Sequence, residues 1–339
     1  MRSFDYSRPA SLPAAVLAMR DAIAADPEAP TAFLAGGTTL LDLMKLDVIR
    51  PRRLVDLGEL SAEFGAVRSG PDALRLGAFA RMADVASHPG VVSAYPVIAQ
   101  SLSLAASAQI RNMATLGGNV LQRTRCAYFR DPSWSACNKR TPGSGCAAIE
   151  GANRPHAVLG TSAHCIATYP GDFAQALIAL DAAVVVIGAG GRRTIPFASL
   201  HRRPGATPHL ETSLRPDEII AEFVVPVRPW TRRSLYLKIR DRQSYEFAVA
   251  SAAVALEIDR GTVRTARVAL GGLAAVPWRA EATEAALVGR SLDEGAARTA
   301  ARSAFADARP QAHNAFKIEL GQATLVRALL QAAAMEIRP

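Results

Sequence analysis

All four cysteines of this 339-residue chain lie between Cys126 and Cys165. The stretch that holds them, RTRCAYFRDPSWSACNKRTPGSGCAAIEGANRPHAVLGTSAHC, is rich in Gly, Pro, Arg and Asn and shows little helical or strand periodicity. A loop of more than ~30 residues without periodicity is unusual in a compact domain unless something organises it. The gaps between the cysteines are ten, eight and eighteen residues. They match neither the CxxC pairs of zinc ribbons nor the tight run of bacterial ferredoxins. Four cysteines converging in space would organise the loop, and three arrangements qualify: a zinc ion held by all four, a [4Fe–4S] cluster, or two disulfides. The bland alternative is four unrelated buried thiols, and the clustering argues against it. Arg123, Arg125, Arg130, Lys139 and Arg140 surround the cysteines and are expected to offset the negative charge of a cluster. His156 and His164 fall in the same window but read as surface or hydrogen-bonding side chains, because four cysteines already complete a site.

At roughly 150 residues per domain, the length suggests about two domains with ample chain for a core. Half the residues are hydrophobic and 20% are charged, the profile of a globular and not a disordered chain. Four cysteines in a chain this long do not make a disulfide scaffold. No apolar run approaches the ~20 residues that span a bilayer, so no membrane insertion is expected. The opening MRSFDYSRPASLPAAVLAMRDAIAA carries an acidic residue and two prolines before an amphipathic helix. It does not read as a secretory leader, and taken alone the chain is expected in the cytoplasm. The net charge of +9 is scattered, with RPRR at 50–53 and RR pairs at 192, 202 and 232, and no aromatic-rich basic stripe accompanies it. Nucleic acid is therefore not expected as a partner; acidic partner subunits or a solvated basic face are.

Two glycine pairs suggest where a ligand sits. TAFLAGG (31–37) is a short apolar run ending in two glycines, followed by the helical TTLLDLMKLD with Leu40, Leu41, Met44 and Leu46 on its apolar side. Strand, glycine turn and helix in that order form a phosphate-binding arrangement. Gly36 and Gly37 admit close backbone approach, and the N–H groups of Thr38, Thr39 and Leu40 point at the anion. The motif lacks both the GxGxxG fingerprint and the P-loop lysine, so a plain strand-to-helix connection competes with it. A second turn, in SAQIRNMATLGGNVLQ (107–122), holds Thr115, Gly117, Gly118 and Asn119. Asn119 there suits either a left-handed conformation or a hydrogen bond to a ligand. Two anion cradles so close together suit a dinucleotide. Beyond Cys165, Asp172 opens a helix with Phe173, Leu177 and Leu180 on one side, where capping is the expected role of its carboxylate. A strand over 214–227 ends at Pro226, and the linker RPWTRRS precedes strands and three helical stretches. A boundary is expected near 228–233, with a smaller α+β domain behind it. No internal repeat, Ser–His–Asp set or paired-carboxylate site is legible.

LAGGTTLLDLMK, QIRNMATLGGN and GDFAQALIALDA resemble the flavin-binding subunit of the xanthine oxidase family. RTRCAYFRD, ACNKRTPGSGCAA and HAVLGTSAHCIATYPGD resemble more specifically the flavin subunit of bacterial three-subunit molybdenum aldehyde oxidoreductases of the periplasmic type. The resemblance runs along nearly the whole chain. It implies an α+β fold: a two-part FAD-binding domain of the xanthine oxidase/vanillyl-alcohol-oxidase-like type over 1–228, then a smaller α+β domain over 229–339. The first domain would divide at about 58 and carry the cysteine loop at 123–166.

The implied cofactors are FAD and a [4Fe–4S] cluster. Phe33, Leu34, Ala35, Gly36, Gly37, Thr38, Thr39 and Leu40 match the family's first pyrophosphate loop. Thr115, Gly117, Gly118 and Asn119 match its second flavin segment, and Ala105 a position lining the cofactor. Asp172 matches the acidic residue after the second loop, Ile220 an aliphatic side chain packed on the isoalloxazine, and Lys238 a lysine that meets the flavin. Cys126, Cys137, Cys146 and Cys165 match the cluster ligands, while Arg111 and Asn112 belong to the motif as shapers of the loop. The implied partners are a large molybdenum-cofactor subunit, where the aldehyde is oxidised, and a small [2Fe–2S] subunit that passes electrons to FAD. An external electron acceptor completes the path, and no NAD pocket is legible. Export to the periplasm, already folded and carried by the small subunit's twin-arginine signal, is implied as well. The rival readings are a flavoprotein with a structural zinc, the related flavin subunits for CoA-thioester or carbon monoxide substrates, and a non-redox scaffold subunit. CNKRTPGSGC favours the aldehyde branch.

Overall fold

The computed structural model describes residues 1–337. Short apolar runs near the N-terminus form β1 (Asp5–Ser7), β2 (Thr31–Leu34) and β3 (Arg53–Asp56), paired in parallel in the order β1-β3-β2. Parallel strands of one sheet need a crossover, and the helix Leu12–Ala25 supplies the one from β1 to β2. Ser11 caps that helix by accepting the Ala14 N–H, and Leu12, Ala15, Val16, Met19 and Ala22 form its buried stripe at three-to-four-residue spacing.

The second sheet is antiparallel: β4 (Val67–Ser69), β5 (Ala73–Gly77), β6 (Ala183–Gly188), β7 (Gly191–Pro196) and β8 (Ile219–Pro226), in the order β4-β5-β8-β6-β7. Between β5 and β6 the chain makes a long excursion that carries several short helices, the cysteine loop and the helix Phe173–Ala179. The third sheet joins β9 (Ser234–Ile239), β10 (Ala250–Asp259), β11 (Thr262–Gly271) and β12 (Trp278–Arg279) in the order β12-β11-β10-β9. Successive strand residues face opposite sides, and β10 uses both. Ala253 and Ala255 join the main core with Phe173 and Phe223, while Ala252, Val254 and Leu256 join a second core with Leu325 and Leu329 of the helix Phe316–Ala333. The small side chains of β10 let helices pack closely on each face.

The result is an α+β chain with a two-part first region and a smaller sheet-and-helix region behind it. No helix among the described residues is long and apolar enough to cross a membrane. One local expectation is corrected: Leu46 is 39% exposed, and Leu43 joins Met44 as the buried pair of its helix. That helix ends at Lys45, and Asp47 turns left-handed at φ 58°, so Leu46 lies past the last turn.

Candidate functional site

β2 ends at Leu34, and Ala35 to Thr39 turn the chain into the helix Leu40–Lys45. Gly37 takes φ +72°, a conformation that side chains disfavour. Gly36 is required by packing: a Cβ there would lie 2.2 Å from the Met113 carbonyl oxygen. The first loop is thus pressed directly against the segment that leads into the second. The N–H groups of Gly36, Gly37, Thr38, Thr39 and Leu40 donate to nothing among the described residues, and the first bonded amides are those of Leu41, to Gly37, and Leu43, to Thr39. A run of five amides without a protein acceptor is the arrangement that cradles an anion.

The second glycine pair behaves differently, and the expectation of a matching cradle is corrected. Gly117 and Gly118 lie inside the short helix Leu116–Val120, capped by Thr115. Leu116 donates to Ala80 O, Gly117 to Ala78 O, Gly118 to Thr115 Oγ1 and Asn119 to Thr115 O. The amides of Leu116 to Asn119 are therefore all taken, two by the segment that follows β5 and two by Thr115. Asn119 is not left-handed. Its Nδ2 meets Met82 Sδ at 3.4 Å, and its Oδ1 is buried without a partner. A buried orphan acceptor marks a place where a ligand donor fits. Arg111 shapes this region by donating to Ala105 O at 2.7 Å, and Arg81 does so by donating to Asn112 O at 2.8 Å.

The two segments border one continuous cleft. A cavity of about 240 Å³ is walled by Phe33, Ala35 to Leu40, Thr115, Gly117, Gly118 and Ile220, and a neighbouring one of about 210 Å³ by Ala105, Asn119 and Asp172. Thr38, Thr39, Ala114 and Gly118 border both. A bulge in β8 skips Ala221 in its pairing with β6, so Ile219 and Ile220 both reach the first cavity. An apolar slot at one end, bare amides at the waist and polar groups beyond fit an elongated dinucleotide such as FAD. Leu34 and Lys238 are not on these walls. Pattern reading missed Ala78 and Phe79, which follow β5, and Tyr245 and Phe247 on an exposed loop over the second cavity.

Asp172 makes no capping bond; that expectation is corrected. Its carboxylate accepts from Tyr236 Oη at 2.5 Å and Lys238 Nζ at 2.8 Å, and Lys238 also donates to Leu104 O at 3.0 Å. Burial pushes the Asp172 carboxyl up, and Lys238 and Tyr236 pull it back only in part. Lys238, 1% exposed along its side chain, therefore acts on the cleft through Asp172.

The cysteine loop packs on the helix Leu40–Lys45 and the turn after it, where Phe129 and Cys137 share an apolar cluster with Leu43 and Val48. Cys137 and Cys146 face each other in an isolated antiparallel bridge, and Ser162 bridges Cys165. Asn138 knits these turns, accepting the Gly145 N–H at 2.9 Å and donating to His164 O at 2.9 Å. All four cysteines are free thiols. Cys126 is within electrostatic range of Cys137 and Cys165, and Cys165 of Cys146 and Cys137. Burial pushes the Cys126 thiol up to about 12 and the Cys165 thiol up to about 11. Among the described residues no three His, Cys, Asp or Glu side chains are grouped as one metal ion requires.

The basic residues around the loop are mostly paired with protein carboxylates and carbonyls, though Lys139 still lowers the Cys165 thiol electrostatically. Arg123 and Lys139 grip Glu211 at 2.8 and 2.9 Å, and Arg125 and Arg130 grip Asp42 at 3.0 and 2.8 Å. Arg140 donates to the Tyr128 and Phe129 carbonyls at 2.8 and 2.9 Å. Burial raises Glu211, but Arg123 and Lys139 outweigh it and hold the carboxyl below its usual range. Arg130 and Arg125 likewise hold Asp42 low against partial burial. Protein carboxylates and carbonyls take these charges because they fasten the loop to the body.

The family model described as the FAD binding domain in molybdopterin dehydrogenase matches residues 2–228, and that of the CO dehydrogenase flavoprotein C-terminal domain matches residues 235–332. The chain is 44% identical over 335 residues to the aldehyde oxidoreductase FAD-binding subunit PaoB of Escherichia coli, covering 98% of this chain and 99% of that one. The carbon monoxide dehydrogenase of Hydrogenophaga pseudoflava superposes with a TM-score of 0.73 at 27% identity, over 98% of this chain and 97% of that one. A reconstituted CO dehydrogenase from Oligotropha carboxidovorans gives a TM-score of 0.75 at 25% identity, over 99% of each chain. The cleft therefore has a family to explain it: this chain belongs to the xanthine oxidase family, as one of its FAD-binding medium subunits.

Proposed function

We propose that this oxidoreductase subunit is the FAD- and [4Fe–4S]-bearing electron-transfer part of a heterotrimeric molybdenum aldehyde oxidoreductase. The five bare amides of residues 36–40, facing a cleft that continues to the orphan Asn119 Oδ1, carry the reading. They would receive the pyrophosphate, Ile220 would pack the flat ring, and Ala105, Thr115, Gly117 and Gly118 would line the remainder. Asp172, held by Lys238 and Tyr236, keeps a buried polar group at the far end. The four cysteines lie on separate turns of one loop, with Cys126 near Cys137 and Cys165 and Cys165 near Cys146, which supports one group shared among them, read here as the cluster. When bound, FAD supplies the exchange of paired for single electrons, and the iron–sulfur group supplies one-electron carriage.

The chain's own part is to bind, orient and shield those groups between its partners: a large molybdenum-cofactor subunit and a small [2Fe–2S] subunit. An external acceptor then takes the electrons. The similarity to a subunit named for aldehyde oxidoreduction supports the aldehyde as substrate class. Residues about 1–58, 59–228 and 229–339 are the working divisions, and the location is the periplasm, reached by co-export with the signal-bearing small subunit. Adding an aldehyde to the purified complex without oxygen tests the function. Bleaching of the visible flavin band is expected. A complex that turns over aldehyde while its flavin stays oxidised, or that holds no flavin, would overturn it.

A further inference from the structure

One polar contact inside the cysteine loop is not part of its fastening. His156 is 2% exposed, and its Nε2 lies 3.1 Å from Sγ of Cys126. Its Nδ1 is buried and has no hydrogen-bond partner. A neutral imidazole carries one N–H. With the proton on Nδ1, a buried donor would be stranded and the Nε2 lone pair would face sulfur. With the proton on Nε2, the ring donates to Cys126 and leaves only an unused acceptor, which is the less costly arrangement.

The backbone that carries the ring is held both from within the loop and from outside it. The His156 N–H donates to Asn153 O at 3.0 Å, and the His156 carbonyl accepts from Lys317 Nζ at 3.1 Å and Asn314 Nδ2 at 3.3 Å. Lys317, 1% exposed, also donates to Pro155 O at 3.0 Å and Gly272 O at 2.7 Å. Burial lowers its pKa to about 7. An ammonium buried among three carbonyls is costly, and here it ties the C-terminal helix and the end of β11 to the backbone of His156. The Tyr128 ring, 6.1 Å away at 42°, closes one side.

We propose that His156 donates its Nε2–H to the Cys126 sulfur and so raises the reduction potential of the iron–sulfur group on the four cysteines, with Lys317 as the positioning residue. The inference rests on the reading that those cysteines hold such a group. One electron enters, no bond breaks, and the proton stays on Nε2. The added charge is shared with the sulfur ligands, so a donor to sulfur favours the reduced form; hydrogen bonds to ligand sulfurs are a recognised lever on such potentials.

The test uses the full three-subunit complex and the paramagnetic signal that Cys137→Ser abolishes, titrated for its midpoint potential, with iron and FAD counted in each sample. His156→Phe should keep its iron and shift the one-electron equilibrium about tenfold toward the oxidised form, a fall of about 59 mV. His156→Gln, whose amide N–H can reach the same sulfur, should restore most of the shift. Lys317→Met should lower the potential by less, and the flavin potential should not move. A wild-type midpoint in a fully iron-loaded His156→Phe would overturn the inference while leaving the cluster in place. Loss of iron from both the Phe and Gln variants would overturn it too, by making His156 necessary for retention and not for tuning. Wild-type complex without iron would overturn the four-cysteine reading and the inference together.

Discussion

Five backbone amides at residues 36–40 face a cleft with nothing to bond, whereas in the cysteine loop the nearby charged groups are already paired. The first region is shaped by backbone: Gly37 turns the chain, and Gly36 lets the loop rest on the Met113 carbonyl. The second is shaped by side chains, with Asp42 and Glu211 each clamping two cations and Arg140 gathering carbonyls. The cleft therefore leaves its binding groups open, while the loop satisfies its periphery and leaves four thiols inside. Asp42 belongs to both regions, one turn into the helix after the first loop and paired with the arginines that flank Cys126. Leu43, Val48, Phe129 and Cys137 share one apolar cluster beneath it.

If the two regions are separately built, their cofactors should be lost separately. Cys137→Ser should remove the iron entirely, leave most of the FAD, and be read by metal and flavin analysis of the same sample. Gly36→Ala should do the reverse. Its Cβ forces the first loop off Met113, and overpacking of about 1–3 kcal/mol corresponds to roughly a five- to 150-fold weaker hold on FAD, measured by fluorescence titration with iron unchanged.

Acid should loosen both regions through His201. This ring donates Nε2–H to the Val120 carbonyl at 3.0 Å, between Tyr169 and Phe197, and burial lowers its pKa to about 4. The unfolded chain binds that proton first, near pH 6.5. The stabilisation is thus complete above about pH 6.5 and lost as pH falls toward 4, at most about 3 kcal/mol. His201→Gln should flatten the slope of unfolding free energy against pH over that window. The smallest effect is Asp42→Asn, about 1 kcal/mol for a partly exposed double ion pair. It should lower the melting temperature and weaken retention of both iron and FAD, and so measure how far the regions are coupled.

The first flavin loop was legible because its signal is local: an apolar run, two glycines, two threonines and a helix fall within residues 31–45. The second was misread because the acceptors of its amides, Ala78 and Ala80, lie nearly forty residues earlier, where no local pattern shows them. Asp172 looked like a cap from its place before a helix, yet Tyr236 and Lys238 claim it from the third sheet. The arginines around the cysteines carried the right sign and the wrong partners, since Asp42 and Glu211 are remote in sequence. Tyr245 and Phe247 reach the cleft from an irregular loop whose composition marks nothing. Apolar strands and helix faces, by contrast, follow from periodicity, and most of the architecture was visible in it.

The most direct test of the account is the iron, acid-labile sulfide, zinc and FAD content of the complex purified with its natural partners, referred to this chain after subtracting the partner subunits' iron. The account predicts one FAD and about four irons with matching sulfide per chain. A chain holding zinc in place of iron would contradict the cysteine assignment, and one with neither flavin nor iron would contradict the whole account.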